Sequence, residues 1–238
     1  MKHAPEALFS DTAAAWGLPL SEAQLAQFAR YADELRAYNA HTNLTAITAP
    51  ADIYVRHFLD SLSLALHWGE APDSLVDIGT GGGFPGLPLK ILRPELELLL
   101  IDSVAKKTAF VSHVAELLGL QGVRVVTGRA EELGRDPRER ERHAVVTARA
   151  VADLRVLAEY GLPLLRVGGR LLAPKGAGAR EEAAAATGAI ERLGGQLLAV
   201  EPVVLPGVEP RSVVVIAKVA ATDPRYPRAV GVPARRPL

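Results

Sequence analysis

The chain of 238 residues contains no cysteine. Disulfides, thiolate-ligated zinc and a cysteine nucleophile are therefore excluded, and no metal is expected. No apolar run approaches the roughly 18 residues of a membrane span. The N-terminus lacks a basic start followed by a long apolar run, so neither a membrane partner nor a signal peptide is predicted, and a cytoplasmic protein is the default. Neither sign of charge is in excess: 27 Lys and Arg balance 27 Asp and Glu, so overall charge does not argue for nucleic acid. The balance hides an asymmetry. Residues 1–70 hold four basic and eight acidic side chains, whereas residues 221–238 hold four arginines and one aspartate. A basic tail permits contact with nucleic acid; a solvated tail is the plainer alternative. No internal repeat is present. With 49% hydrophobic residues the chain can bury a real core, and its length suits one α/β domain with an extension, or two small domains.

Residues 1–70 read as helices. After Ser21, the residues Leu25, Phe28, Ala29, Tyr31, Ala32, Leu35 and Tyr38 fall at helical spacing, and Asp52 to Leu66 repeats the pattern. A polar, turn-like connection, Asn39 to Thr45, lies between them. From Leu75 short apolar runs alternate with helical segments. Strands are predicted at 75–78, 97–101, 123–127, 144–148, 169–173, about 197–205 and about 211–219, and helices at 86–92, 104–118, 153–165 and 179–193. This alternation implies a mostly parallel sheet with helices on both faces. No helix separates the last two runs, and Pro206-Gly207 and Glu209-Pro210 predict an antiparallel final hairpin. The mixed-charge stretch 134–143 reads as a solvated loop or helix turn. The expected division is a helical extension at 1–70, a ligand-binding domain at 71–220 and an Arg/Pro-rich tail at 221–238.

The densest signal is Asp77-Ile-Gly79-Thr-Gly81-Gly-Gly83-Phe84-Pro85-Gly86, five glycines within eight residues between a strand and a helix. Glycines let the backbone turn tightly and approach a ligand. Asp102 follows one strand-helix unit later, at the end of the next apolar run. A carboxylate there can accept hydrogen bonds from a ribose diol. An acid opening the glycine run and a second acid one unit later is the pattern with which methyltransferases hold S-adenosylmethionine. Gly81 to Gly86 also spells G-x-G-x-x-G, so a nicotinamide-dependent oxidoreductase is a rival reading. Pro85 and Pro88 weigh against it, because they lack N–H donors near the helix start, where a pyrophosphate would seek several.

Other predicted strand ends carry polar groups where open α/β sheets bind ligands. Gly128-Arg129-Ala130-Glu131 follows the third strand; Glu131 could meet an adenine amino group or simply start a helix. Arg149 follows the fourth strand and Lys175 the fifth; each could hold phosphate or a base edge, or form an ordinary salt bridge. His57, beside Arg56 on a predicted helix, is more often structural than catalytic at such a position. After the fourth strand stands Thr147-Ala-Arg149-Ala-Val151, without the Asp/Asn-Pro-Pro-aromatic motif that serves exocyclic base amines. Pyrimidine C5 chemistry normally needs a cysteine. A nucleophile that already owns a lone pair, such as a purine ring nitrogen, fits what remains; guanine N7 is one.

Together these pieces resemble the RsmG (GidB) family of bacterial small-subunit ribosomal RNA guanine-N7 methyltransferases. The matching residues are Tyr38-Asn39, Thr42-Asn43-Leu44-Thr45, His57-Phe-Leu-Asp60-Ser61-Leu62, the glycine run from Asp77, Asp102-Ser103, Lys106-Lys107, Phe110, Arg149-Ala-Val151 and Lys175-Gly176. The resemblance implies a class I, Rossmann-like methyltransferase fold with a mostly parallel seven-stranded sheet and an N-terminal helical extension. It implies S-adenosylmethionine as cofactor, 16S rRNA or a small-subunit precursor as partner, and a monomer. It places Gly79 and Phe84 at the methionine end, Asp102, Ser103 and Val104 along the ribose and adenine, and Ala130 and Glu131 at the adenine; Asp77 and Gly81 are further candidate cofactor-binding residues. Arg149 falls near the transferred methyl group, and Asn43, Arg56, His57 and Lys175 are candidate RNA contacts. A ribosome-assembly factor that keeps the fold without chemistry is a further alternative.

Overall fold

A computed structural model describes residues 5–42 and 44–238. Asn43, a candidate RNA contact, lies outside the described residues. Helices α1 (Pro5–Ala15) and α2 (Glu22–Thr42) come first. A reciprocal capping box starts α2: Ser21 N–H donates to Gln24 Oε1 at 2.9 Å, and Gln24 N–H to Ser21 Oγ at 3.3 Å. The second N-terminal helical stretch is mixed. Short α3 (Pro50–Asp52) leads into a π-helical stretch (Ile53–Leu59), then α4 (Asp60–Leu62) and a 3-10 turn (Ser63–Leu66). Apolar spacing predicts a plain helix here. The wider turn coincides with the Arg56 carbonyl accepting from the Arg149 guanidinium at 3.1 Å, an interaction far apart in sequence.

The alternating half follows in order: β1 (Ser74–Ile78), α5 (Gly86–Leu92), β2 (Glu97–Asp102), α6 (Ala105–Leu117), β3 (Val123–Thr127), α7 (Ala130–Leu133) and β4 (His143–Ala148). Then come α8 (Leu154–Gly161), β5 (Leu165–Lys175), α9 (Ala179–Arg192), β6 (Gly195–Val203), β7 (Arg211–Lys218) and α10 (Val232–Arg235). All seven predicted strands form one sheet in the order β3-β2-β1-β4-β5-β7-β6. β1 to β5 pair in parallel, and β7 runs antiparallel to both β5 and β6, so the final hairpin inserts its second strand next to β5.

Period-two alternation divides the strand side chains between two cores. Leu75, Leu98, Leu100, Val145 and Leu172 face the N-terminal helices, α5 and α6. Val76, Leu99, Ile101, Val146 and Leu171 face α8 and α9. The N-terminal helices are thus part of one layer of a three-layer molecule. Gln24 joins α2 to the helix behind the glycine loop, its side-chain amide donating to the Ile91 and Leu92 carbonyls at 2.8 and 3.1 Å.

Two segments are better anchored than their composition suggests. In 134–143, Glu139 is buried and accepts two bonds from Arg124, at 2.6 and 2.8 Å, while pairing with His143 at 3.0 Å. Residues 222–236 lie against the body of the protein. Arg140 donates to the Tyr226 and Thr222 carbonyls, both at 2.7 Å, and Arg228 forms a fork on the buried Glu159 carboxylate at 2.6–3.1 Å.

Candidate active site

Strand order reverses between β1 and β4, and the glycine loop sits at the carboxyl end of β1. This is the switch point where open α/β sheets bind ligands. Asp77 is fully buried there. Its Oδ2 accepts from Thr80 Oγ1 at 2.8 Å and from Gly86 N–H at 3.0 Å, clasping the two ends of the loop. Its Oδ1 has no protein partner among the described residues. Burial pushes the carboxyl up to about 7, against the pull of those two hydrogen bonds and of Arg149. Gly79 holds φ at 68°, and a Cβ there would stand 2.5 Å from Val151 Cγ2, so no side chain fits under the β4 loop.

Asp102 ends β2 and is 6% exposed. Its Oδ2 accepts from Gly81 N–H at 3.0 Å and its Oδ1 from Val104 N–H at 2.9 Å. The two acids of the motif therefore cooperate: Asp77 closes the loop on itself, and Asp102 ties the loop to the next strand. Each Asp102 oxygen retains a second lone pair. Beside it opens a cavity of about 270 Å³, lined by Gly79, Asp102, Ser103, Ala130, Tyr160 and Ala234, among others.

On the helical side the loop meets a closed polar and aromatic cluster. The Arg149 side chain, 15% exposed, donates through Nη1 to Asp60 Oδ2 at 2.8 Å and lies 3.0 Å from His57 Nδ1 through Nη2. A guanidinium can only donate, so His57 Nδ1 is the acceptor and Nε2 carries the proton. Nε2–H then donates to Thr45 Oγ1 at 3.0 Å. Burial, then the charges of Arg149 and Arg211, push the imidazole down to about 3 and keep it neutral. The His57 ring stacks on Phe84 at 4.2 Å, Tyr31 stacks on Phe84 at 5.3 Å, and the Tyr31 hydroxyl donates to the Gly82 carbonyl.

A family model described as rRNA small subunit methyltransferase G matches residues 24–208. A protein named Ribosomal RNA small subunit methyltransferase G from Roseiflexus sp. (strain RS-1) is 64% identical over 96% of this chain and 97% of its own length. A protein of the same name from Lactobacillus delbrueckii subsp. bulgaricus is 46% identical over 97% of this chain and 98% of its own. The chain belongs to this family. Among solved structures, a putative O-methyltransferase from Klebsiella pneumoniae aligns with a TM-score of 0.54 at 17% identity, covering 80% of this chain and 90% of its own. A 16S rRNA adenine-N1 methyltransferase from Catenulisporales acidiphilia, solved with cosubstrate SAM, aligns with a TM-score of 0.53 at 17% identity, over 63% and 87%. These two likenesses concern the fold. Membership in the methyltransferase family sets aside the nicotinamide reading of the glycine run.

The structure gathers Gly79, Asp102, Ser103, Ala130 and Glu131 at the cavity, with Gly81 bonded to Asp102 and Val104 at the start of α6. Four candidates are engaged by protein groups in this structure, as the structural alternatives for His57, Lys175 and Glu131 allow. The Phe84 ring is 4% exposed and packs in the helical layer, so it turns its side chain away from the cleft. His57 is buried inside the cluster, where Arg149 occupies its only acceptor. Lys175 is committed to the Ala152 carbonyl at 2.8 Å and Glu182 at 2.7 Å, bracing the β4 loop. Glu131 is 3% exposed and its Oε1 accepts from Gly231 N–H at 2.9 Å. Arg56, by contrast, keeps a partly exposed side chain, paired with Asp52 at 3.1 Å.

Sequence reading did not single out Asp60, Thr45 or Arg211 as site residues, nor Tyr160 and Ala234. Asp60 carried a signal: it stands three residues after His57 on one helix face. Arg211, 3.7 Å from Asp60 Oδ1, and Ala234 reach the site by topology alone.

Proposed function

We propose that this protein transfers the methyl group of S-adenosylmethionine to N7 of one guanosine in the 16S rRNA of the small ribosomal subunit or its precursor. The observation that carries the reading is the cleft beside Asp102 at the switch point, in a chain of the small-subunit rRNA methyltransferase family. The residues present fit the cofactor. Asp102 offers lone pairs suited to a ribose diol, Ser103 a hydroxyl, Ile78, Ile101 and Ala130 apolar walls, and the partnerless Asp77 Oδ1 negative character behind the glycine loop. When bound, S-adenosylmethionine supplies a methyl carbon whose bond to sulfur breaks onto the sulfur as the guanine N7 lone pair forms the new bond.

N7 gives up no proton, so the site needs alignment and electrostatic support in place of a general base. The neutral His57, with its acceptor filled, matches that demand. Arg149 stands at the head of the β4 loop with its guanidinium held by Asp60, and Lys175 pins the same loop at Ala152. Their role is to hold the loop Arg149–Ala152 over Gly79, and Arg149 adds positive charge near the methyl end. Partly exposed Arg56 and exposed Lys106 and Arg129 provide cations for phosphates, so RNA affinity falls as salt rises. Action as a monomer is part of the same proposal. No described helix is long and apolar enough to cross a membrane, and a ribosomal substrate supports work in the cytoplasm.

The test is methyl transfer from labelled S-adenosylmethionine to small subunits lacking their native modifications, followed by nuclease digestion and mass spectrometry. One 7-methylguanosine in 16S rRNA is the expected product. Cofactor binding without any RNA product would support the assembly-factor alternative.

A further inference from the structure

The family model ends at residue 208, yet the cofactor cleft does not. Ala234, four residues before the C-terminus, lines the same cavity as Asp102, Ser103 and Ala130. The segment carrying it is fixed at point after point. Arg140 holds the Thr222 and Tyr226 carbonyls, and Arg135 Nε donates to the Pro227 carbonyl at 2.7 Å. Tyr226 packs into the core beneath α8 and α9. Arg228 locks onto Glu159 of α8 through its backbone N–H and its guanidinium, at 2.6–3.1 Å. Charge-assisted, bidentate contacts of this kind fix direction as well as position.

The last tie before Ala234 is made by the β3 side of the cleft. Gly231 adopts φ 75°, which turns the chain into α10, and its N–H donates to Glu131 Oε1. Tyr160, next to Glu159 on α8, lines the cavity, and after burial the Glu131 carboxylate is the main influence raising its phenol. Glu131 therefore stands between three walls of the cleft: α7, α8 and the C-terminal segment. The residue is 3% exposed, and its Oε1 is taken by the Gly231 N–H.

We propose that residues 222–235 form a wall of the nucleoside half of the cofactor site, and that Glu131 is a positioning residue that holds this wall. The inference rests on the cofactor reading given above. It assigns Glu131 a role different from direct adenine contact, and it gives the C-terminal segment a share in cofactor affinity.

Calorimetric titration with S-adenosylhomocysteine separates the possibilities, using full-length protein and matched thermal melts. Wild type must bind; a wild type that does not bind overturns the cofactor reading itself. Glu131→Ala removes the acceptor for Gly231 and is expected to weaken binding at least tenfold. Glu131→Gln keeps an amide oxygen for that N–H and is expected to stay within about threefold of wild type. A charged group touching the ligand would behave otherwise, with both substitutions losing affinity alike. Ala234→Trp adds bulk at an exposed position on the wall, so it is expected to weaken binding at least tenfold with the melting temperature unchanged. Wild-type affinity in Ala234→Trp, or equal losses in both Glu131 variants, would overturn the proposal.

Discussion

The glycine loop has two neighbours, and they differ in how their polar groups are spent. On the helical side, Arg149, Asp60, His57 and Thr45 satisfy one another around the buried Phe84 ring, and little is left over. On the β2–β3 side, Asp102 accepts one hydrogen bond per oxygen, has Lys107 at 3.7 Å from Oδ2, and borders an open cavity. The helical side carries rigidity and the cleft carries ligand capacity. One short motif serves both, because the loop must be fixed in space before its backbone can meet a ligand. The difference also explains why basic and imidazole groups around a site need not be catalytic: a charge already paired in a closed network acts through what it holds.

The largest effect should come from breaking the closed side. Arg149→Ala leaves the buried Asp60 carboxylate without its short partner, Arg211 remaining only at 3.7 Å. Removing one member of a buried pair costs about 3 kcal/mol or more. Urea denaturation should show that loss, and single-turnover methylation should fall further than cofactor affinity. An unchanged midpoint would remove the distinction between the two sides.

Asp102→Ala tests the open side. Loss of a hydrogen bond to a charged group predicts a decrease in S-adenosylmethionine affinity of about 2 kcal/mol. Isothermal titration reads this directly.

A smaller effect is expected at Lys175, which reaches the reacting centre only through the β4 loop. Lys175→Met should lower the single-turnover rate at saturating cofactor roughly tenfold, about 1.4 kcal/mol of barrier, with RNA affinity little changed. Loss of RNA affinity at unchanged rate would instead make Lys175 a phosphate contact.

Asp77 gives the finest comparison. Its carboxyl is raised to about 7, so it sheds its proton as pH rises through that value. A sulfonium cation favours the ionised form, so affinity for S-adenosylmethionine should rise relative to the uncharged-sulfur homocysteine product between about pH 6 and 8. The linked stability runs the other way. A carboxyl whose folded pKa lies above its unfolded value stabilises most below the unfolded pKa, and that contribution is lost as pH rises through about 7. Asp77→Asn keeps one oxygen for Thr80 and Gly86 and should flatten both profiles.

The sheet and most of its helices were legible because strands buried on both faces read as continuous apolar runs, and the glycine loop and Asp102 mark its switch point. The π-helical stretch at Ile53–Leu59 was not legible, since the carbonyl of Arg56 within it meets a partner, Arg149, far along the chain. Direction was equally hidden. Sequence placed Phe84, Lys175 and Glu131 near strand ends, but whether each faces ligand or protein depends on Tyr31 and His57, Glu182, and Gly231, all brought in by the fold. The C-terminal arginines gave no hint that Arg228 would find a fully buried glutamate.

The most direct measurement is paired calorimetry of wild type and Asp102→Ala with S-adenosylmethionine and with NADH. The cofactor assignment to this cleft predicts that wild type binds S-adenosylmethionine and not NADH, and that Asp102→Ala loses most of that affinity while keeping its fold. NADH binding, or equal S-adenosylmethionine affinity in the two proteins, would contradict it.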